Sequence, residues 1–355
     1  MVYPQYITWN RITWEPRPNK KRNLAVWYIL SFCTALVALN SFFMLFEQLV
    51  SYRKDPDINL TSGILLVLVF AAYSISTAVS LTLVLHAKEL CYLFKSLLKM
   101  EKILNFDHGK SGQPELDLVG IFLHTLITLV TSAPFATCLV PTLLHNIDIT
   151  YFWFRNVTMI SPFITLILRM LIIFTFTLHI GVAMFAFEII VTNLVLFFKQ
   201  CLKSMTNRRL FMFPKCFFKY RQLEIMTTLL NQILSFILPI SLLLPFVCAV
   251  GMGYIVIKMT FKVPLPITFL SLCIISTVLG MAHLIMPLMA ELTIRSEEFI
   301  RFWGLQGYSK YRKRQLKSCG KLKVYIGPFY YLVKGSRTGF LSKVLYYTVS
   351  SVISI

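Results

Sequence analysis

Polar side chains recur at helical spacing in the last apolar stretch of the chain, which ends in LYYTVSSVISI. The residues at this spacing are Lys343, Tyr347, Ser350 and Ser354. They are separated by four, three and four residues, so an α-helix would present them on one face. Such a face can line a water-filled pore, with neighbouring Val and Ile side chains forming a gate that excludes water. Small hydroxyl residues also let helices pack closely and bond to their own backbone. The spacing alone leaves both functions open.

Motifs for catalysis or metal binding do not stand out elsewhere in the sequence. The six histidines include no pair at i and i+4 and no cysteine at metal-ligand spacing. A phosphate-binding glycine loop and a nucleophile elbow are also missing. The apolar stretches lack the chained carboxylates of a proton-driven transporter. We therefore expect no enzymatic activity, no metal site and no cofactor.

The composition indicates an integral membrane protein. Hydrophobic residues make up 57% of the 355 positions and charged residues only 14%, more apolar side chain than a soluble domain can bury. The net charge of +20 would suit nucleic acid, but the sequence offers no soluble basic domain to bind it. We expect membrane lipid as a partner and no nucleic acid.

Seven apolar stretches are long enough to span a membrane, and we predict an all-α fold of seven transmembrane helices. The predicted spans are 24–46, 64–86, 118–144, 162–198, 229–257, 265–290 and 338–355. The basic residues Lys20, Lys21 and Arg22 before the first span resemble the start of a signal peptide. The following apolar run is too long and lacks a small-residue cleavage site, so a retained first helix is expected.

The basic residues determine the predicted orientation. Of 35 Lys and Arg, 28 lie before the first span or after spans 2, 4 and 6, and only five lie in the alternate loops. Cytoplasmic segments carry the excess of Lys and Arg, so we predict a cytoplasmic amino terminus and an extracellular carboxyl terminus. The two glycosylation sequons, at Asn59 and Asn156, both fall in loops assigned to the outside. None of the eight cysteines lies in an external loop, so no disulfide is expected there.

Helices 4, 5 and 6 are predicted to extend beyond the membrane. The span 162–198 would measure roughly 55 Å, whereas the hydrocarbon core is about 30 Å thick. Apolar residues at helical spacing continue before span 5 (Leu223, Met226, Leu230, Ile233 and Leu234) and after span 6 (Leu288, Leu292, Phe299, Phe302 and Trp303). These faces suit a cytosolic bundle or an oligomer interface, or helices that lie on lipid. The predicted organisation is a cytosolic segment 1–23, helices 1–6 with extensions over 24–290, a cytosolic anchor segment 291–337 and a seventh helix over 338–355.

Few ionisable or amide side chains lie within the spans. Arg169 would meet a polar ligand in a cavity or extend to the lipid headgroups. Glu188 and His179 are interpreted as helix-packing or water-contacting groups. Asn193 and Gln232 are predicted to hydrogen bond between helices.

The carboxyl-terminal region resembles the arthropod gustatory and odorant receptor superfamily. The similar segment is YIGPFYYLVKGSRTGFLSKVLYYTVSSVISI, with Gly327, Phe329 and Tyr330 before the last span. The family motif of Thr-Tyr, five apolar residues and Gln-Phe is matched at Tyr347, while Tyr346 replaces Thr and Ile353-Ser354 replace Gln-Phe. Seven spans, an intracellular amino terminus and long helices 4 to 6 also resemble this superfamily. The departures from the motif indicate a divergent, gustatory-receptor-like member.

The resemblance implies a chemosensory receptor in the plasma membrane of sensory neurons. It implies a homo- or heterotetrameric, non-selective cation channel opened by a small tastant or odorant. By position, the residues implied to line the pore are Tyr347, Ser350, Ser351 and Ser354. Aromatic or polar residues in the outer membrane half are implied to form the ligand pocket: Tyr73, Thr137, Thr165, Arg169, Tyr254 and Phe269.

Two other functional classes compete with the channel. A seven-helix G-protein-coupled receptor would need the opposite orientation, and the sequence lacks Asp-Arg-Tyr after span 3 and Asn-Pro-x-x-Tyr in span 7. A membrane transporter would show broken helices or repeated halves. Prolines in spans 5 and 6 supply only candidate breaks.

Tags at both ends test the predicted orientation. On intact cells we expect antibody to reach only the carboxyl-terminal tag, because the amino-terminal segment is predicted to be cytosolic. Glycan removal should change the mobility of the wild type but not of the Asn59→Gln/Asn156→Gln variant. An accessible amino-terminal tag with no glycan at either asparagine would contradict this orientation and favour the G-protein-coupled receptor.

Overall fold

The computed structural model describes most of the chain. The described residues are 6–10, 15–52, 54–58, 60–105, 118–143, 148–157, 159–206, 213–261, 263–306, 309–328 and 330–354.

Helices form nearly all of the regular structure. The long helices are α1 (Ala25–Val50), α2 (Leu60–Asn105), α3 (Leu118–Cys138), α6 (Pro162–Thr206), α7 (Phe213–Lys258), α8 (Leu265–Gly304) and α10 (Ser336–Ser354). The short helices are α4 (Val140–Leu143), α5 (Ile149–Phe154) and α9 (Lys310–Lys317). Two small antiparallel pairs complete the fold: β1 (Ile7–Trp9) with β2 (Pro16–Pro18), and β3 (Tyr325–Ile326) with β4 (Tyr330–Tyr331).

Six helices among the described residues are long and apolar enough to cross a membrane: α1, α2, α3, α6, α7 and α8. The mostly helical, multi-pass membrane architecture predicted from the sequence is therefore confirmed. The last predicted span corresponds to α10, a helix of 19 residues that includes Arg337 and Lys343. It is not among those six.

Helix α2 is longer than the sequence analysis predicted. The expected span was 64–86, but the helix continues to Asn105 after a local distortion at His86. The continuation buries one face, formed by Leu90, Leu93, Phe94, Leu97, Met100 and Leu104, while its four lysines are exposed. This regular alternation of apolar and basic residues is typical of an amphipathic helix and could have indicated the extension from the sequence. Four helices, rather than three, therefore extend beyond the thickness of a membrane.

The extended ends of α2, α6, α7 and α8 form one hydrophobic core, which we call the basic-end bundle. Tyr220 of α7 stacks on Phe299 of α8 with ring centroids 4.5 Å apart. Phe213 and Trp303 meet edge to face at 5.5 Å. The apolar faces predicted before span 5 and after span 6 all lie in this core or pack against it. These faces therefore pack between helices instead of lying on lipid.

Side chains of α7 and α8 hold the irregular segment 318–335 against the basic-end bundle. Asn231 donates to the carbonyl of Lys323 (2.8 Å) and accepts from the backbone N–H of Tyr325 (3.0 Å). Tyr220 donates to the carbonyl of Gly320 at 2.7 Å. These hydrogen bonds satisfy backbone groups that would otherwise lack a partner, because the described part of the segment contains no helix or long strand. By contrast Asn193, predicted to bond between helices, donates to the carbonyl of Ile189 in its own helix.

The segment 318–335 also contains one turn that depends on glycine. Between β3 and β4, Gly327 has a φ of 57°, a conformation that residues with a Cβ rarely adopt. This turn returns the chain to α10.

Helix α10 packs closely on α7 at Gly253, a residue without a side chain. Thr348 is buried, and a Cβ placed on Gly253 would lie 2.6 Å from its Cγ2 and 3.0 Å from its Oγ1. Small residues allow such close approach between membrane helices. Further along, Lys258 donates to the carbonyl of Val352 at 3.0 Å. The position of α10 therefore depends on the absence of a side chain at Gly253.

Adding one methyl group at this point should destabilise the protein. We expect Gly253→Ala to lower its stability by about 1–3 kcal/mol, because the new Cβ overpacks against Thr348. The measurement is the melting temperature of the purified protein in detergent.

Gly251→Ala is the matched control, because a Cβ there would make an ordinary contact at 3.5 Å with Ile64. The Gly253→Ala/Thr348→Ala variant should recover most of the loss, since it removes the clashing atoms. Equal melting temperatures for Gly251→Ala and Gly253→Ala would contradict the close packing.

Candidate ligand cavity and pore-lining face

One face of α10 lines an open groove of about 510 Å³. The lining residues are Ser342, Leu345, Tyr346, Val349, Ser350, Ile353 and Ser354. Two of the predicted pore residues, Ser350 and Ser354, therefore lie on this groove. The groove also contains Ser342, which the sequence analysis did not select although it is eight residues before Ser350. Three hydroxyls and a phenol give this face polar groups between apolar ones.

The other two predicted pore residues lie outside the groove. Tyr347 packs its ring against Phe246 of α7 at a centroid distance of 5.8 Å. Ser351 donates to the carbonyl of Tyr347 at 2.7 Å. The four residues thus occupy two adjacent sides of α10.

Arg169 has protein partners inside the bundle. It is 9% exposed and forms an ion pair with Asp148, and its Nε donates to Thr150 at 3.2 Å. Its guanidinium also lies 5.9 Å from the centre of the Tyr151 ring. Asp148 precedes α5, a short helix that the sequence analysis treated as part of a loop. Arg169 therefore neither extends to headgroups nor presents an unpaired charge to a ligand.

The remaining five residues predicted for the ligand pocket are dispersed. Tyr73 packs on Phe176 at 5.9 Å, and Thr137 donates to Thr177 at 3.1 Å. Thr165 is half-buried, Tyr254 is buried and Phe269 is 68% exposed. Because they lie on five different helices and contact different neighbours, they do not form one described cavity.

A different cavity, of about 170 Å³, lies between α2, α6, α7, α8 and the start of α10. Its walls are mainly apolar, and its polar side chains are Glu188, Thr192 and Ser241. Glu188 Oε1 and Thr192 Oγ1 are buried and have no hydrogen-bond partner among the described residues. Polar groups in an apolar cavity are typical of sites that orient a small ligand. None of the six predicted pocket residues lines this cavity, which we call the central cavity.

His179, interpreted from the sequence, like Glu188, as a helix-packing or water-contacting group, has defined neighbours in the structure. It hydrogen bonds to Ser31 at 3.1 Å and packs edge to face against Trp27 at 5.6 Å. Glu188 differs because one of its carboxyl oxygens has no hydrogen-bond partner among the described residues.

An open pocket of about 700 Å³ lies at the opposite end from the basic-end bundle. Arg155 bridges Asp55 (2.7 Å) and Asp57 (3.1 Å) across it. The hydrogen bond from Arg155 holds the pKa of Asp55 below its usual range. The predicted glycosylation residue Asn156 lines this pocket and is exposed. Asn59 lies outside the described residues.

Within the described part of the chain, no group of three or more His, Cys, Asp or Glu side chains is arranged to hold a metal ion. No disulfide links the cysteines of the described residues.

These features define a multi-pass helical membrane protein with an apolar cavity between its helices and a last helix whose groove contains serines among apolar side chains. The fold is that of an insect olfactory receptor. It is similar to the solved structure of the olfactory receptor OR5 from Machilis hrabei, with a TM-score of 0.61 and 11% sequence identity, over 95% of this chain and 92% of that chain. The resemblance predicted from the sequence is confirmed for the fold. No protein-family model and no curated protein matches the sequence.

Removing the charge of Arg169 should destabilise the protein. We expect Arg169→Gln to cost about 3–5 kcal/mol, because Asp148 would remain as a buried, unpaired charge. The Asp148→Asn/Arg169→Gln variant should recover part of this loss. Melting temperature and surface expression are the measurements.

Arg155→Gln is the control, because its ion pairs are partly exposed and such pairs contribute about 0–1 kcal/mol. If Arg169→Gln kept wild-type stability and altered only the potency of a ligand, Arg169 would be a ligand contact instead.

Proposed function

We propose that this chain is a subunit of a chemosensory, ligand-gated, non-selective cation channel of the insect chemoreceptor superfamily. A small tastant or odorant bound among the membrane helices opens the channel. The observation that carries the proposal is the whole-chain fold similarity to an insect olfactory receptor. The serines in the mainly apolar groove of α10 support it, because hydroxyls give hydrated cations a wettable surface.

The exposed apolar residues of α10 support assembly into a tetramer. Leu345, Val349 and Ile353 of the groove are 66%, 44% and 78% exposed in the single chain. One α10 helix cannot enclose a pore, whereas closed rotational symmetry would bring copies of this face together around an axis. The apolar residues would then pack between subunits, and the serines would face the permeant cations. Either identical or related subunits satisfy this geometry.

The orientation proposed for the channel places the basic-end bundle in the cytosol. The extensions of α2, α6, α7 and α8, together with the segment 291–337, then form a cytosolic anchor. The exposed lysines on the extension of α2 support this assignment, because cytoplasmic regions carry the excess of positive charge. In this orientation α10 is the seventh transmembrane helix, and the protein acts in the plasma membrane of sensory neurons.

Substitutions in the groove test the assignment of the pore. We expect Ser350→Leu and Ser354→Leu to lower single-channel conductance severalfold, because a bulky apolar side chain makes the wall less wettable. Ser351→Leu is a matched control on the adjacent side of α10 and should have a smaller effect. Single-channel recording gives the conductance, and surface labelling verifies expression. Unchanged unitary current in both groove variants would remove these serines from the pore wall.

A further inference from the structure

The central cavity lies far along α6 from the start of that helix. Glu188 is 26 residues from the start of α6 at Pro162, which corresponds to about 39 Å along the helix. Arg169 and Thr165, by comparison, lie within the first turns of the same helix. The central cavity is therefore separate from the positions that the family resemblance implied for a ligand.

The walls of the central cavity suit a compact apolar group. They include four methionines (Met184, Met281, Met286 and Met289) and two phenylalanines (Phe187 and Phe340). Methionine side chains adapt to the shape of their neighbours. The volume is about 170 Å³, and an apolar cavity of roughly 150 Å³ holds a benzene-sized molecule. A ligand of one ring or a short alkyl chain therefore fits.

The polar groups of the central cavity favour a ligand that donates hydrogen bonds. Glu188 and Thr192 are one helical turn apart on α6, and each has a buried oxygen without a partner among the described residues. When paired with a cation, the carboxylate of Glu188 only accepts hydrogen bonds. The hydroxyl of Ser241 already donates to the carbonyl of Leu238 at 3.0 Å, so its oxygen is left as an acceptor. The cavity thus offers acceptors in excess of donors.

The carboxyl group of Glu188 also has no basic side chain beside it in the described lining of the central cavity. No Lys, Arg or His is among the described residues that line the cavity. Nearby on α6, Lys199 pairs with Glu291 of α8 at 2.7 Å. In an apolar environment the ionised form of a carboxyl group requires a paired positive charge. Phe187 and Phe340 are in the same lining, and aromatic rings attract cations. A ligand that brings a positive charge meets both requirements.

We propose that the central cavity binds a small organic ammonium ion, a primary amine that carries one ring or a short alkyl chain. This inference rests on the proposed function, since it names the chemical class of the ligand that opens the channel. The ammonium group donates to Glu188 Oε1 and to the Thr192 and Ser241 hydroxyls, and the apolar part packs against the methionines.

A ligand in the central cavity would also contact the pore-lining helix. Phe340 of α10 lines the cavity and packs on Phe246 at 5.8 Å. The same Phe246 ring packs on Tyr347 with ring centroids 5.8 Å apart. Tyr347 is next to Thr348 in the chain and adjacent to the groove side of α10. A ligand that displaces Phe340 would therefore act directly on α10.

Benzylamine, an ammonium ion at neutral pH, and benzyl alcohol, a neutral molecule of nearly the same shape, are suitable probes. Each would be titrated into the purified full-length protein in detergent, with affinity read from thermal stabilisation. We expect benzyl alcohol to bind at least about tenfold more weakly, because it forms no charge-assisted hydrogen bond. Glu188→Gln keeps the side-chain shape and should weaken the binding of benzylamine by about tenfold or more. Thr192→Val should weaken this binding severalfold.

Glu89→Gln is the matched control, because Glu89 on α2 also has a buried carboxyl oxygen without a partner among the described residues but does not line the central cavity. Its affinity for benzylamine should equal that of the wild type. Equal affinity of the wild type for the amine and the alcohol would overturn the proposal, and this comparison requires no variant to fold. Equal benzylamine affinity in Glu188→Gln and the wild type would also overturn it.

Current recordings from the same variants distinguish this inference from the proposed function. Selective amine binding that depends on Glu188 without any current would support the site and contradict the channel. Current evoked by benzylamine with the same potency in the wild type and Glu188→Gln would support the channel and contradict the site.

Discussion

Helices longer than a membrane is thick determine the rest of this structure. α2, α6, α7 and α8 contain 40 to 46 residues, or about 60–69 Å of helix, whereas a hydrocarbon core measures about 30 Å. The excess has no lipid to cover its apolar faces, so the helices bury these faces against one another. The resulting basic-end bundle fixes the four helices relative to each other. Their fixed positions in turn define the central cavity and the surface on which α10 packs.

Two ionisable side chains of α6 differ in whether they have a partner. Arg169 is neutralised by Asp148, which the chain brings in on the short helix α5. Glu188 lies deeper, and one of its oxygens has no such partner among the described residues. Loss of one member of a buried ion pair destabilises a protein, so we expect Arg169 to contribute to stability. A carboxyl group without a partner is instead open to a ligand that supplies one.

The sequence predicted the architecture better than the site. Apolar runs and helical spacing located the long helices, and the faces containing Leu223 and Phe299 are buried as their periodicity indicated. The extension of α2 was missed because its lysines were interpreted as belonging to a loop, although Leu90 and Leu97 keep the helical period. Pairs such as Arg169 with Asp148 could not be derived, since the acid comes from a segment without a strong helical pattern. The central cavity is formed by five helices whose relative packing no local pattern specifies.

Contacts at three levels along its length hold helix α10 against α7. Phe340 contacts Phe246, Thr348 contacts Gly253, and Val352 accepts a hydrogen bond from Lys258. The middle contact is the tightest, and the outer two are a single ring contact and an exposed hydrogen bond. Because Thr348 is eight residues from Phe340 and four from Val352, the two arms measure about 12 and 6 Å. A rigid tilt of α10 about Gly253 would therefore move Val352 in the opposite direction to Phe340 and through about half the distance.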